Sequence, residues 1–318
     1  MKLSLSIIIP LYNMENTIKR TLDNLFEQIT EHDDIEVICI NDNSSDKTLE
    51  IISKYKNLKI VNLTERITTG ACRNKGLDLA TKEYIQFLDG DDLLNLNTVR
   101  DIISSMISDK DIQIGIGEFE IYDSESKCVI QDHKGVNFLL KSDKIIMKTS
   151  DLYSVLFQLT NAACWNKVFK REFLDENCLR FSDCTYAEDM SFMDKCLTVS
   201  NKLLIVKENM ITYTSPETNP YSSDKNSINT WKDLFISLRE VYSTVKCMRS
   251  ILSYSDYYFL VSSFLISCIG HIRYASKKFN AVNNEFNRNS VDFVSEVELE
   301  LSRVCRRNTN IEEVLKFK

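Results

Sequence analysis

Tyr84-Ile85-Gln86-Phe87-Leu88-Asp89-Gly90-Asp91-Asp92 is a short, mostly apolar run that ends in an acidic turn. A strand with little polar alternation is buried on both faces, the condition of strands in a parallel α/β sheet. Three units of the same kind precede it. Residues 5–9 form a continuous apolar strand followed by helical spacing over 17–26. Residues 35–40 form a second strand, ended by a polar turn at 41–46 and a helix over 47–55. Residues 58–63 form a third, followed by a helix over 71–80. Strands and helices alternating at this rhythm give a parallel sheet covered on both faces. In such sheets ligands sit beyond the carboxyl ends of the strands, so the turns at Asp42 and Asp89 face one crevice.

Downstream, the spacing predicts a helix over 98–108, a strand or strand pair over 113–121, and a polar stretch without clear period over 124–144. Helix and strand patterns return over 151–176. A helix over 187–200 carries Phe192, Cys196 and Val199 on one face, and a strand follows over 202–213. Two of the three prolines, Pro216 and Pro220, fall in a polar segment at 214–223 that reads as a long, mobile loop. Beyond Thr230 the chain is helical, with Trp231, Leu234, Phe235, Leu238 and Val241 at helical spacing.

An apolar fraction of 43% over 318 residues is enough for a large core, so disorder is excluded. A net charge of -7 without a dominant basic cluster excludes general nucleic-acid binding. There are ten cysteines but no CxxC pair, and Cys39, Cys72, Cys164, Cys196 and Cys268 sit in apolar runs. They read as buried thiols of a reducing compartment. His32, His133 and His271 are too scattered for a structural zinc. The N-terminal apolar run is too short for a secretory segment and reads as the first strand. Residues 257–275 approach membrane-span length but are diluted by Ser262, Ser263, Ser267, Gly270 and His271, which favours a buried or interfacial helix.

The chemistry-bearing cluster is Asp89-Gly90-Asp91-Asp92. Carboxylates at i and i+2 on a tight turn can share a divalent cation, a ribose and a diphosphate, and their hard oxygens suit Mg²⁺ or Mn²⁺. The plain alternative is a solvated Asp-Gly turn with a helix cap. Gly115-Ile116-Gly117 lacks the third glycine of a dinucleotide fingerprint, and no GxxxxGK[ST] element occurs. A nucleotidyltransferase needs a glycine-rich basic loop after the first strand, which Pro10-Leu11-Tyr12-Asn13-Met14-Glu15 is not. A glycoside hydrolase with paired carboxylates needs neither a nucleotide site nor a metal-type cluster.

Five ordered motifs set the cluster in context. Ser6-Ile7-Ile8-Ile9-Pro10-Leu11-Tyr12-Asn13 is followed by Ile38-Cys39-Ile40-Asn41-Asp42-Asn43-Ser44-Ser45-Asp46, by Gly70-Ala71-Cys72-Arg73-Asn74-Lys75-Gly76 and by the run ending at Asp92. Cys164-Trp165-Asn166-Lys167-Val168-Phe169 and Tyr186-Ala187-Glu188-Asp189-Met190-Ser191-Phe192 come after it. The first two-thirds of the chain thus resembles family 2 glycosyltransferases of the GT-A fold. That resemblance implies a Rossmann-like, mostly parallel sheet flanked by helices. The domain would span 1–228, with a nucleotide half to about 122 and an acceptor half from 123, and a C-terminal helical subdomain would span 229–318.

It also implies an inverting transferase that moves a hexose or N-acetylhexosamine from a UDP-sugar to a glycan or lipid-linked saccharide hydroxyl. The setting would be bacterial surface polysaccharide synthesis, in the cytoplasm or peripherally at the inner face of the plasma membrane. The alternative is an inactive sugar-nucleotide or glycan-binding protein of the same fold. Position by position, Asp42 would accept from the uracil N3–H with Arg73 beside it, and Pro10, Tyr12, Asn13 and Glu15 would line the nucleotide. Asp89 would hold the ribose, and Asp91 would hold Mn²⁺ or Mg²⁺. Trp165, Asn166, Lys167 and Glu188 would meet the acceptor, although a tryptophan is as readily a core residue. Asp189 would be the general base, at a helix start whose partial positive charge favours an ionised carboxylate. One departure stands out: relatives carry a basic residue after the aromatic pair near Tyr213, and Tyr213-Thr214-Ser215-Pro216 has none.

Overall fold

The computed structural model describes residues 3–123, 128–133, 142–215, 230–278 and 284–307. Of the expected loop at 214–223, Thr214 and Ser215 belong to the last strand, and residues 216–223, with both prolines, lie outside the described residues, as does the side chain of Trp231.

Four strands and three helices build the start of the chain: β1 (Ser4–Leu11), α1 (Ile18–Gln28), β2 (Asp34–Asn41), α2 (Thr48–Ile52), β3 (Leu58–Asn62), α3 (Thr69–Leu79) and β4 (Tyr84–Phe87). β1 pairs in parallel with β2 and β4, and β2 with β3. The order β3-β2-β1-β4 reverses direction at β1, which opens a crevice at the carboxyl ends of the strands. Pro10 is tolerated in this central strand because the β1–β4 ladder ends before it, at Ile8 opposite Phe87.

Then come β5 (Leu93–Leu94), α4 (Leu96–Ser108), β6 (Ile114–Asp123), β7 (Cys128–His133), β8 (Lys144–Lys148), β9 (Lys167–Lys170), α5 (Arg171–Glu176), α6 (Glu188–Val199) and β10 (Lys202–Ser215). β9 joins β4 and β6 antiparallel and carries the sheet onward to β10, which runs parallel to β6. β7 falls inside the polar stretch 124–144, where the sequence shows no clear period. It pairs on the flank of β6, where its polar Gln131, Asp132 and His133 hide the strand signal. The second helix is shorter than its spacing implied, five residues instead of nine.

Period-two alternation assigns the two faces. Leu5, Ile7, Ile9 and Leu11 pack with Ile18, Leu22 and Leu25 of α1 and with Val99, Ile102 and Ile103 of α4. Ile8, Ile38, Ile40 and Phe87 face the other way, onto Cys72 and Leu77 of α3 and Phe192 and Cys196 of α6. Val199, expected on that buried face, is only partly buried. The C-terminal helices α7 (Thr230–Cys247), α8 (Tyr254–Lys278) and α9 (Asn284–Arg307) join this second core through Leu234, Leu238, Val241, Phe264 and Phe293. Tyr242 stacks on Phe264, whose edge meets Phe157. The five cysteines read as buried thiols are buried and free.

Candidate active site

The end of β2 delivers Asp42, which is 5% exposed. Its backbone N–H continues the ladder to the Leu11 carbonyl at 2.8 Å, and its Oδ1 accepts from the Ile67 N–H at 2.8 Å. Arg66 Nε stands 3.8 Å from Oδ2, and the Arg66 guanidinium lies 3.6 Å over the Tyr12 ring. The cation at Asp42 is therefore Arg66, which corrects the expectation of Arg73 there. Asn13 and Glu15, expected along a nucleotide, are exposed at the same end of the sheet. Asn13 Oδ1 accepts from Ser45 N at 2.9 Å and Glu15 Oε2 from Lys47 N at 3.1 Å, so both brace the β1 loop to the β2 loop. Asn13 and Asn43 hold φ of 53° and 51°, which asparagine tolerates better than other non-glycine residues. Pro10 is buried in the strand.

The end of β4 delivers the acidic turn. A Cβ on Gly90 would come within 2.5 Å of Leu11 Cδ2, so a larger residue would need the Leu11 side chain to shift as the turn closes on β1. The Gly90 carbonyl accepts from Thr21 Oγ1 at 3.1 Å, and the Asp91 carbonyl from Arg20 at 2.7 Å. Asp92 is fully buried; its Oδ1 accepts from Thr214 N at 2.9 Å, and its Oδ2 has no hydrogen-bond partner among the described residues. Burial and then repulsion by Asp89 push Asp91 up to about 6. Burial, Asp91 and Asp89 push Asp92 well above the carboxylate range.

Arg73 on α3 joins the two sides of the crevice. Its side chain, 5% exposed, donates to Asp89 Oδ1 at 2.9 Å and to Glu188 Oε1 at 3.1 Å. Glu188 and Asp189 occupy the first turn of α6, and Asp189 Oδ1 accepts from Met190 N at 2.7 Å. One guanidinium thus faces the carboxylates Asp89, Glu188 and Asp189. Burial and Asp189 raise Glu188 to about 7 against the pull of Arg73, and burial raises Asp189 above its usual range.

Removing Arg73 strands these carboxylates, so Arg73→Ala should cost about 3 kcal/mol in urea unfolding, the lower end for a broken buried pair. Glu188 carries a signed pH effect. Its folded pKa lies above the ordinary glutamate value, so its stability contribution is full below the unfolded pKa and is lost as pH rises through about 7. Glu188→Gln mimics the protonated form. It should therefore stabilise at pH 8, by on the order of 2 kcal/mol, and match the parent at pH 4 in thermal melts.

Of the other expected acceptor contacts, Trp165 is 9% exposed, stacked on Tyr213 and edge-on to Phe119. Asn166 and Lys167 are fully buried, which corrects their expected contact with an acceptor. Asn166 Nδ2 donates to the Gly117 carbonyl at 2.8 Å. Lys167 Nζ lies within 2.6–2.8 Å of the Asn161 and Ala163 carbonyls and the Asn161 and Asn166 amide oxygens. Burial pulls its pKa down to about 7, while the nearby Cys164, Asp189 and Asp194 favour the proton. The pair anchors the 161–166 segment.

With this geometry in view, residues 6–177 match the family model for glycosyl transferase family 2. The chain belongs to that family. It is 39% identical over 97 residues to a poly(ribitol-phosphate) β-glucosyltransferase of Bacillus spizizenii, spanning 29% of this chain and 15% of the relative. It is 27% identical over 214 residues to the poly(ribitol-phosphate) β-N-acetylglucosaminyltransferase TarS of Staphylococcus aureus, 65% of this chain and 35% of that one. TarP of Staphylococcus aureus, of the same description, is 27% identical over 247 residues, 76% of this chain and 71% of TarP. The chain thus spans about a sixth of the first of these relatives and about a third of TarS. The crystal structure of TarS residues 1–349 with UDP-GlcNAc superposes with a TM-score of 0.75 at 20% identity, covering 95% of this chain and 83% of that one. That likeness shows the GT-A fold.

In this family 2 chain a groove of about 530 Å³ lies away from the carboxylates, among Lys110, Lys148, Lys170 and Lys202. It sits at the opposite end of the sheet, since Lys170 pairs with Tyr84 at the start of β4. Lys170 and Lys202 there are already ion-paired, with Glu172 and with Asp109 and Asp111. Sequence reasoning missed Arg66 and Arg20. The available signal was that each is a basic residue close to a strand-end turn, Arg66 just after β3 and Arg20 in the first turn of the helix after β1.

Proposed function

We propose that this chain is an inverting transferase moving a hexose or N-acetylhexosamine from a UDP-sugar to a hydroxyl of a glycan or lipid-linked saccharide, in bacterial surface-polymer synthesis. The observation that carries this reading is the Arg73 bridge. One buried guanidinium ties Asp89, after β4, to Glu188, beside Asp189. Donor-side and acceptor-side carboxylates so share one crevice. The named activities of TarS and TarP, and the UDP-GlcNAc bound to the TarS structure, support the choice of donor class. The nucleotide half to about residue 122, the acceptor half and the helical subdomain from 229 are part of the same reading.

In this mechanism Asp42 accepts from the uracil N3–H, with Tyr12 and Arg66 flanking the base, and Asp89 accepts from the ribose. Asp189 removes the proton from the acceptor hydroxyl as it attacks opposite the diphosphate, and a single displacement inverts the anomeric carbon. Glu188 orients that hydroxyl. Asp91 would hold Mn²⁺ or Mg²⁺, which would supply charge neutralisation for the departing diphosphate. The residues fit such an ion: three hard carboxylates crowd one turn, and Asp92 Oδ2 is buried without a partner. Among the described residues no three His, Cys, Asp or Glu side chains form a cage. One carboxylate with phosphate oxygens and water is a common sphere for Mg²⁺.

The reading is tested by a panel of UDP-sugars assayed for UDP release with and without Mn²⁺. Turnover of one or a few donors in Mn²⁺ is expected; failure of every donor, together with no UDP binding, overturns it. In the same reading the chain is cytoplasmic, and a peripheral contact with the membrane is supported by α8, where Tyr254–Ser276 is long and apolar enough, by length and composition, to cross a membrane. Its inner residues Tyr257, Leu260 and Phe264 are buried in the core, while Tyr254 and Ile266 are 53% and 59% exposed. The protein should float with liposomes, and Ile266→Glu should weaken this. Absence of flotation by the parent protein removes the membrane contact.

A further inference from the structure

The segment 182–187, which leads into Glu188 and Asp189, is held from two helices that lie far away in sequence. From α7, Glu240 Oε2 accepts from Ser182 Oγ, from Ser191 Oγ at 3.0 Å and from Lys195 Nζ at 3.0 Å. Asp233 Oδ2, one turn into α7, accepts from Thr185 N at 2.9 Å and Thr185 Oγ1 at 2.5 Å. From the start of α3, Thr68 Oγ1 donates to Asp183 at 2.8 Å. Asn74 exchanges two 2.9 Å bonds with the backbone of Phe181. A Cβ on Gly70 would lie 2.6 Å from the Ser182 carbonyl, so α3 and the segment are in direct backbone contact.

This clasping has a local reason. Ala187, immediately before Glu188, sits at φ 62° and ψ 20°. For a residue with a Cβ that left-handed conformation is strained, and it persists only where the surroundings over-determine it. Relaxing Ala187 would rotate the first turn of α6 and move both carboxylates away from Arg73. On the α7 side, the acidic side chains Glu240 and Asp233 accept from Ser182, Ser191 and Thr185 and so tie the segment to that helix.

We propose that Glu240 and Asp233 are positioning residues that hold Glu188 and Asp189 in reacting geometry, so the C-terminal helices belong to the acceptor side of the active site. This rests on the reading of Asp189 as the base. Asp189 is faced by Glu188 on its own helix, by Arg73 from α3, by Asp89 after β4, by Lys167 from β9 and by Asp194 one turn along α6.

The test uses the full chain and the UDP-sugar that the panel identifies, with Glu240→Ala, Glu240→Gln and Asp233→Ala. Glu240→Ala should lower kcat about 10- to 100-fold, the effect of a reacting group displaced by up to an ångström. Donor KM and UDP affinity should stay within about twofold of the parent, as expected for a loss of transition-state positioning alone. The acid limb of the pH–rate profile should move to lower pH as Asp189 becomes more hydrated. Glu240→Gln, which keeps an acceptor for Ser182 and Ser191, should recover most of the rate. A residue that only stabilised the fold would lower the melting temperature and leave the pH profile in place. If Glu240→Ala fails to bind UDP, Asp233→Ala, which removes the acceptor for Thr185, decides: parental kcat and pH profile in that variant overturns the proposal. An inactive parent protein would instead overturn the reading on which the proposal rests.

Discussion

Asp189→Asn is expected to lower sugar transfer by about 10²–10⁴ and leave UDP affinity within about twofold. A sugar hydroxyl is a poor nucleophile until its proton is taken, and a carboxylate within hydrogen-bond reach supplies that step. Asparagine keeps the oxygen that accepts from Met190 N, so the start of α6 should hold its shape while the basic oxygen is lost. The parent's pH dependence gives a second check. Burial raises the Asp189 pKa, so activity should fail on acidification at a pH above that of an ordinary aspartate. Asp189→Asn should lack this limb. Parental transfer by the variant, measured with the identified donor and acceptor, removes Asp189 from the base role.

Asp91→Ala should abolish Mn²⁺-dependent turnover, a loss of about 4 kcal/mol or a thousandfold. The two donor phosphates bring negative charge to a turn that already holds Asp89, Asp91 and Asp92. The nearby cations are committed: Arg20 to the Asp91 carbonyl and Thr214, Arg73 to Asp89 and Glu188. Excess EDTA should therefore reproduce the variant in the parent protein. Removing one of three crowded carboxylates relieves repulsion, so the melting temperature should stay level or rise, which separates loss of function from loss of fold. Full parental activity in EDTA would show that Asp91 holds no required metal.

The strands flanking the crevice were legible because each is an apolar run closed by a polar turn. The residues 35–40 and 84–88 read correctly for that reason, and the turns after them carry Asp42 and Asp89 to the same end of the sheet. Pairing between side chains was less legible. Arg73 lies in a motif that marked it as part of the site, but whether it turns to Asp42 or to Asp89 depends on how α3 packs on β1, which no local pattern encodes. Asn166 and Lys167 show the same limit. Their polarity reads as a surface contact, while their full burial follows from acceptors at Asn161, Ala163 and Gly117 that only the folded chain gathers. Glu240 lies about fifty residues beyond Glu188, on a helix whose sequence shows only an amphipathic period.

The most direct test of inverting transfer needs no acceptor beyond water. An α-linked UDP-sugar found active in the panel is hydrolysed by the protein in Mn²⁺, and the anomer first released is followed by proton NMR before mutarotation. The mechanism assigned to Asp189 predicts the β anomer first; the α anomer appearing first would contradict it.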